Sequence, residues 1–190
     1  MKKLIKAQRS PDYINLTGPN GTEDNIGGII TTLYYCPIGD FTTIQDTDET
    51  LATFATTYDK LATISTAHTF TGSKGFLTMY NTQNTGMVEY SRQGERDGYS
   101  YKQVLKFFYP GAAALFYGWQ RKAKNDRFIF LAKQPNGVIH QIGSKQFPAY
   151  LAPEKGGTAT SEGGRNGFEF TVESMASGPI LYNATITLHS

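Results

Sequence analysis

The stretch Ser100-Tyr101-Lys102-Gln103-Val104-Leu105-Lys106-Phe107-Phe108-Tyr109 decides how the rest of this sequence is assembled. Tyr101, Val104, Leu105 and Phe108 stand at i, i+3, i+4 and i+7, which puts them on one apolar stripe of an α-helix. Asp97 or Ser100 can accept hydrogen bonds from the free amides at its start, and Pro110-Gly111 ends it. A helix of about three turns has little stability of its own. It is therefore expected to lie against a sheet or a barrel end that supplies its packing.

Upstream of it, Arg92-Gln93-Gly94-Glu95-Arg96-Asp97-Gly98 reads as a charged loop flanked by glycine. Before that loop come two predicted strands, Phe76-Leu77-Thr78-Met79-Tyr80 and Gly86-Met87-Val88-Glu89-Tyr90-Ser91, which the polar turn Asn81 to Thr85 makes neighbours. Gly28 to Cys36 is dense in β-branched and aromatic residues and stops at Pro37, a further strand. Between Phe41 and Thr71 threonine recurs, with Asp46, Asp48 and Glu49 interspersed. Leu51-Ala52-Thr53-Phe54 and Leu61-Ala62-Thr63-Ile64-Ser65 alternate apolar and polar residues there, as edge or hairpin strands do. This region is expected to be an extended hairpin ordered by a neighbour, with a flexible flap as the alternative. Residues from Met1 to about Asn25 end in Gly18-Pro19-Asn20-Gly21 and read as an arm.

Downstream, Ala112 to Gln120 is open between an apolar helical turn and a buried strand. Phe128 to Lys133 is a strand, and Pro135-Asn136-Gly137 turns it into Val138 to Gly143, the best local hairpin signal in the chain. A permissive stretch follows from Pro148 to Gly167. Phe168 to Glu173 and Ile180 to Leu188 then alternate large apolar with polar residues, so each has one wet and one buried face. Many short strands with one small helix predict a mainly β domain spanning residues 1–190: an antiparallel β-sandwich or barrel with one short flanking α-helix.

Hydrophobic residues form 39% of the chain and aromatic residues 13%, enough to bury a core, while charged residues at 18% leave Thr, Ser, Asn, Gln and Gly to finish the surface. A net charge of +2 is too small to imply a phosphate-backbone partner, so nucleic-acid binding is not predicted. Nothing approaches the run of about 18 apolar residues that a transmembrane helix needs. The N-terminal stretch carries basic residues, but Lys6 and Arg9 interrupt any apolar segment and polar residues follow, so it does not read as a secretory signal. Cys36, the single cysteine, cannot form an internal disulfide, as suits a chain made in a reducing cytosol.

No residue set carries a persuasive chemistry, and the chain is not expected to be an enzyme, to bind a metal or to hold a cofactor. His68, His140 and His189 lack ligand spacing. His140 is expected on a solvated strand face, and Cys36 in a Tyr-rich strand reads as a small core residue. Ser73 in Gly72-Ser73-Lys74-Gly75 lacks the spacing of a phosphate loop and reads as a hairpin turn. Glu95 and Asp97, with Arg92 and Arg96 around them, suit a salt-bridged rim better than a tuned acid/base pair, and Arg165 suits a contact. Aromatic residues from Phe107 to Tyr117 stand apart from the basic run Arg121 to Arg127, so core packing accounts for them.

The ordered string from Phe76 to Thr187 nevertheless resembles the tail-tube proteins, or related tail structural proteins, of bacterial viruses. The resemblance rests on Met79-Tyr80-Asn81-Thr82, Gly86 to Tyr90, the loop Gly94 to Gly98, Phe107-Phe108-Tyr109-Pro110-Gly111, the strand pair about Asn136-Gly137, Gly167 to Phe170, and Tyr182 to Ile186. It covers a little over half of the chain. It implies a virion component made in the bacterial cytoplasm, a homo-oligomer of hexameric rings that stack into a conduit for DNA without sequence-specific binding. Sheath, terminator or baseplate proteins are the implied partners, and no membrane is involved. In that setting the segment from Phe41 to Thr71 bridges rings, and edge strands at Ile29 to Tyr35 or Ile180 to Leu188 pair between subunits. The nearly neutral charge departs from the simplest tube, which leaves a capsid decoration or a β-sandwich module binding carbohydrate or protein as alternatives.

Overall fold

The computed structural model describes residues 26–49, 57–111, 113–152, 155–157 and 164–190. The N-terminal arm and the short alternating piece at 51–54 lie outside the described residues. In chain order come β1 (Thr32–Pro37), a 3-10 turn (Ile38–Asp40), β2 (Phe41–Thr43), α1 (Tyr58–Ala62), β3 (Thr63–Ile64), β4 (Thr69–Phe70), β5 (Leu77–Tyr80), β6 (Met87–Gln93) and β7 (Ser100–Pro110). Then follow α2 (Ala114–Ala123), β8 (Phe128–Lys133), β9 (Ile139–Ile142), β10 (Tyr150–Leu151), β11 (Lys155–Gly157), β12 (Gly167–Ala176) and β13 (Leu181–Tyr182). The fold is mainly β with one longer helix. No helix among the described residues is long and apolar enough to cross a membrane.

Among the described residues the strands form a six-stranded sheet in the order β3-β13-β9-β8-β1-β5, a five-stranded sheet in the order β10-β12-β7-β6 with β11 also on β12, and a small β2-β4 pair. All pairings are antiparallel except β13 with β3. β8 lies inside the six-stranded sheet, and its Phe128 to Ala132 are all buried. That explains its unbroken apolar run, because both faces of the strand are covered. Phe128, Phe130 and Ala132 turn to one side with Leu33, Tyr35 and Ile142. There they share a core with Leu105, Phe107, Phe170 and Val172 of the five-stranded sheet. Ile129, Leu131 and Cys36 turn to the other side, where Ile64, Phe76, Ile180 and Tyr182 cover them. Each large side chain removed from water contributes roughly 2 kcal/mol, so Phe128, Ile129, Phe130 and Leu131 anchor β8 on both faces.

The helix expected at Ser100 to Tyr109 is instead β7, the longest strand. Read in steps of two, Gln103, Leu105 and Phe107 are buried together, while Lys102 and Lys106 are more exposed. Its β-branched and aromatic residues favour extended backbone. Pairing settles the choice: β12 contacts β7 in continuous register from Gly167↔Pro110 to Ala176↔Tyr101, and β6 pairs along its other side. The undecided stretch after it forms helix α2, with Phe116 and Ala123 buried and Trp119 packed against the core. Arg121 and Lys122 in its last turn oppose the partial negative charge there.

Three further expectations are corrected. β5 and β6 are not neighbours but belong to different sheets. Asn81 is fully buried between them, its amide donating to Ile30 O at 3.3 Å and its carbonyl accepting from Thr85 Oγ1 at 3.0 Å, so the segment is a crossover. Leu61 to Ser65 is no simple hairpin strand, since it holds the end of α1 and then β3. Finally, β1 is flanked by β5 and β8, and β13 by β3 and β9. Neither expected edge strand is an edge, and of Ile180 to Leu188 only Leu181–Tyr182 is a regular strand.

Candidate functional site

The five-stranded sheet presents the feature with the clearest capacity for interaction. Its registers place Val88, Tyr90, Gln103, Leu105, Phe170, Val172 and Ser174 on the face toward the core. Met87, Glu89, Lys102, Val104, Lys106, Glu173 and Met175 share the opposite face. On that outer face Lys102 pairs with Glu173 at 2.7 Å and Lys106 with Glu89 at 3.6 Å. The two pairs flank Val104, which is only 8% exposed. Solvent screening keeps such pairs weak, so they fix side-chain positions more than they stabilise the fold. Arg165, a sequence candidate for contact, lies over the Phe108 ring at 4.0 Å.

Both margins of this sheet are open among the described residues. β6 pairs only with β7 along one margin, and the short β10 and β11 follow each other along β12 at the other. Free margins carry unpaired N–H and C=O groups, which template pairing with another chain. Apolar residues sit on both. Met87 of β6 is 44% exposed, Tyr150 of β10 is 44% exposed, and Phe147 just before β10 is 51% exposed. Beside β10 a cleft of about 360 Å³ is lined by Phe147, Pro148, Tyr150, Ala152 and Met175, with Lys102 and Glu173 in its wall.

Polar groups join the two large sheets inside. Gln103 of β7 accepts from the Gly143 amide at 3.2 Å and donates to Gly178 O at 3.3 Å. Tyr90 of β6 meets His140 Nδ1 at 2.8 Å. His140, expected on a wet face, thus faces between the sheets, because its register with Ala132 turns it to the core side. Burial holds its imidazole below the ordinary value and pushes the Tyr90 phenol up. His140 Nε2 is buried without a hydrogen-bond partner among the described residues. Neither bridge was legible in the sequence, since polar residues in alternating strands carry the signature of a solvated face.

The remaining candidates are scattered. Cys36 is fully buried in β1, where burial, with Asp40 adding to it, pushes its thiol up to about 12. It is a protonated thiol at neutral pH. Ser73 lies in a turn as expected, though the turn joins β4 to β5, which belong to different sheets. Glu95 and Asp97 occupy the exposed tip of the β6–β7 hairpin, with Arg92 over Tyr99 at 4.6 Å. Trp119 donates its indole N–H to the Tyr35 hydroxyl at 3.1 Å and meets that ring edge-on, so it is engaged with the core and does not form a surface platform. His189 is exposed near the C-terminal residue, far in sequence from the other histidines. Comparison with protein-family models, curated proteins and solved structures finds no match to this chain.

Proposed function

We propose that this protein is a self-assembling structural subunit, of the kind that builds the tail tube of a bacterial virus, and that its activity is the geometry of repeated contact. One observation carries the reading: among the described residues the five-stranded sheet has two open margins, each with apolar side chains beside it. The margins differ, one being the continuous β6 and the other the broken β10 and β11. Joining one to the other in the next copy is a head-to-tail contact, which closes a ring when the rotation per copy permits. A β-sandwich, in which the two large sheets close over the shared core of Leu33, Phe130, Leu105 and Phe170, is the architecture that suits this role. Hexameric rings stacked into a DNA conduit are the specific form that the sequence resemblance adds.

Blocking a margin tests the proposal. Met87→Lys and Tyr150→Lys place a charge on partly exposed positions at opposite margins; the first sets it opposite Lys106 and the second removes the contact with Arg127, each costing about 1 kcal/mol or less in the stability of one copy. By sedimentation and negative-stain imaging, wild-type protein is expected to form rings or tubes, with either variant remaining monomeric. Wild-type protein that stays monomeric at high concentration, or variants that assemble like it, would reject the proposal.

A further inference from the structure

His68 is a titratable side chain held on several sides in the interior. It is 2% exposed, follows the bend after β3 and enters the second core between β2, β9 and β13. Its Nδ1 accepts the backbone N–H of Gln45 at 3.0 Å. Its Nε2 lies 2.9 Å from Gln141 Oε1. Gln141 spends its own amide N–H on Gly143 O at 3.0 Å, so it turns a carbonyl to the ring, and the ring nitrogen must be the donor. The imidazole lies at 4.9 Å from the Tyr182 ring and 5.5 Å from Phe41, while the His68 backbone N–H donates to the Tyr182 hydroxyl at 3.3 Å. Every polar atom of the neutral Nε2–H tautomer is therefore satisfied.

A second proton has no acceptor in this arrangement. It would sit on Nδ1 and face the Gln45 N–H, two donors opposed in a buried place. We infer that His68 is a proton-operated latch whose protonation releases the stretch after β2, Gln45 to Thr47, from the six-stranded sheet. The surroundings support a local opening. A cleft of about 220 Å³ lined by Gln45, Asp46, Thr47 and Gln141 adjoins the contact and gives the stretch room to move. Asp48 and Glu49 beyond it remain tied, Asp48 to Thr63 O at 2.8 Å and to the Ser65 hydroxyl at 2.6 Å, Glu49 to Lys60 O at 3.1 Å. Phe41 and Ile44 before it stay packed on the second core.

The groups facing the ring set the direction of the switch. Tyr182 from β13 is a phenol whose ionisation burial pushes upward, so it carries no charge near neutrality. Phe41 from β2, Phe76 and Gln141 from β9 are uncharged. Asp46 brings a carboxylate that acts on the ring and favours its charged form, giving imidazolium a partner once the stretch has moved. In the closed form burial outweighs the Gln141 bond and Asp46, and holds His68 below its ordinary value of 6.5. The closed form therefore binds fewer protons than the open one. Closure is at full strength above that ordinary value and weakens as pH falls toward the lower closed-state value.

Backbone hydrogen exchange on the full chain at about pH 7.5 and about pH 5, with rates corrected for their intrinsic pH dependence, tests the latch. The Gln45 amide, bonded to His68 Nδ1 in the closed form, is expected to lose roughly tenfold in protection at the lower pH while β8 keeps its own. His140→Gln should leave that response in place, and His68→Gln should abolish it. Should His68→Gln not fold, nitrogen-detected titration of the wild-type histidines decides, with the Gln45 amide expected to follow the His68 ring through one transition. The latch is overturned if the Gln45 amide stays protected while His68 charges, if the response survives in His68→Gln, or if β8 opens with it.

Discussion

Gly143 takes φ +96°, a conformation that a side chain strains, in the bend just after β9. A Cβ there would lie 2.8 Å from Ala149 N and 2.9 Å from Phe128 O, backbone atoms that are hydrogen-bonded to each other. The same residue links Gln103 and Gln141 through its N–H and C=O. Gly143→Ala combines backbone strain with overpacking and should cost about 3 kcal/mol in urea unfolding. A loss below about 0.5 kcal/mol would show that the bend relaxes freely. At this scale the sequence announced the apolar residues and concealed the polar ones. Phe128, Phe130, Phe170 and Tyr182 were legible as core by residue type and strand pattern. Gln103, Gln141 and His68 were not, because each needs at least one partner 23 or more residues away in sequence, and that proximity leaves no trace in local spacing.

Among the elements, β7 shows how two periodicities can coexist in one run of residues. Tyr101, Val104, Leu105 and Phe108 fit a helical stripe, while Gln103, Leu105 and Phe107 fit one face of a strand. Helix formation gains only local bonds, whereas the strand gains a ladder on each side, from β6 and from β12. Non-local pairing therefore decides the conformation, and no window confined to Ser100–Pro110 contains that information. The β8–β9 hairpin succeeded for the opposite reason, since Asn136-Gly137 and two flanking apolar runs specify it locally, and Gly137 takes φ +93°. The threonine-rich region also proves more integrated than an appended hairpin. β3 joins the six-stranded sheet, and Ile64, Phe41 and Phe70 join the second core. Deleting Phe41 to Thr71 should therefore abolish cooperative unfolding, not merely trim a contact arm. A deletion that retains a sharp thermal transition near the wild-type temperature would show those core contacts to be dispensable.

The whole molecule unites a well-covered six-stranded sheet with a five-stranded one whose margins end in β6 and in β10 with β11. The mainly β class was readable from strand density, but the open sheet was hidden once its longest strand had been read as a helix. The expected edges at β1 and β13 proved interior, so the contact between copies moves to β6 and β10 in the assembly proposed above. Tyr90, Gln103 and their partners bind the two sheets together from inside, which lets the outer face and margins interact without loosening the core.

Amide exchange compared between dilute and concentrated protein tests this account most directly, because a strand that gains a neighbour gains hydrogen bonds. The predicted result is that β6, β10 and β11 slow by about tenfold or more as the sedimenting mass rises to that of a ring, while the interior β8 does not change. Identical exchange at both margins in the larger particle would place its contacts elsewhere and contradict the account.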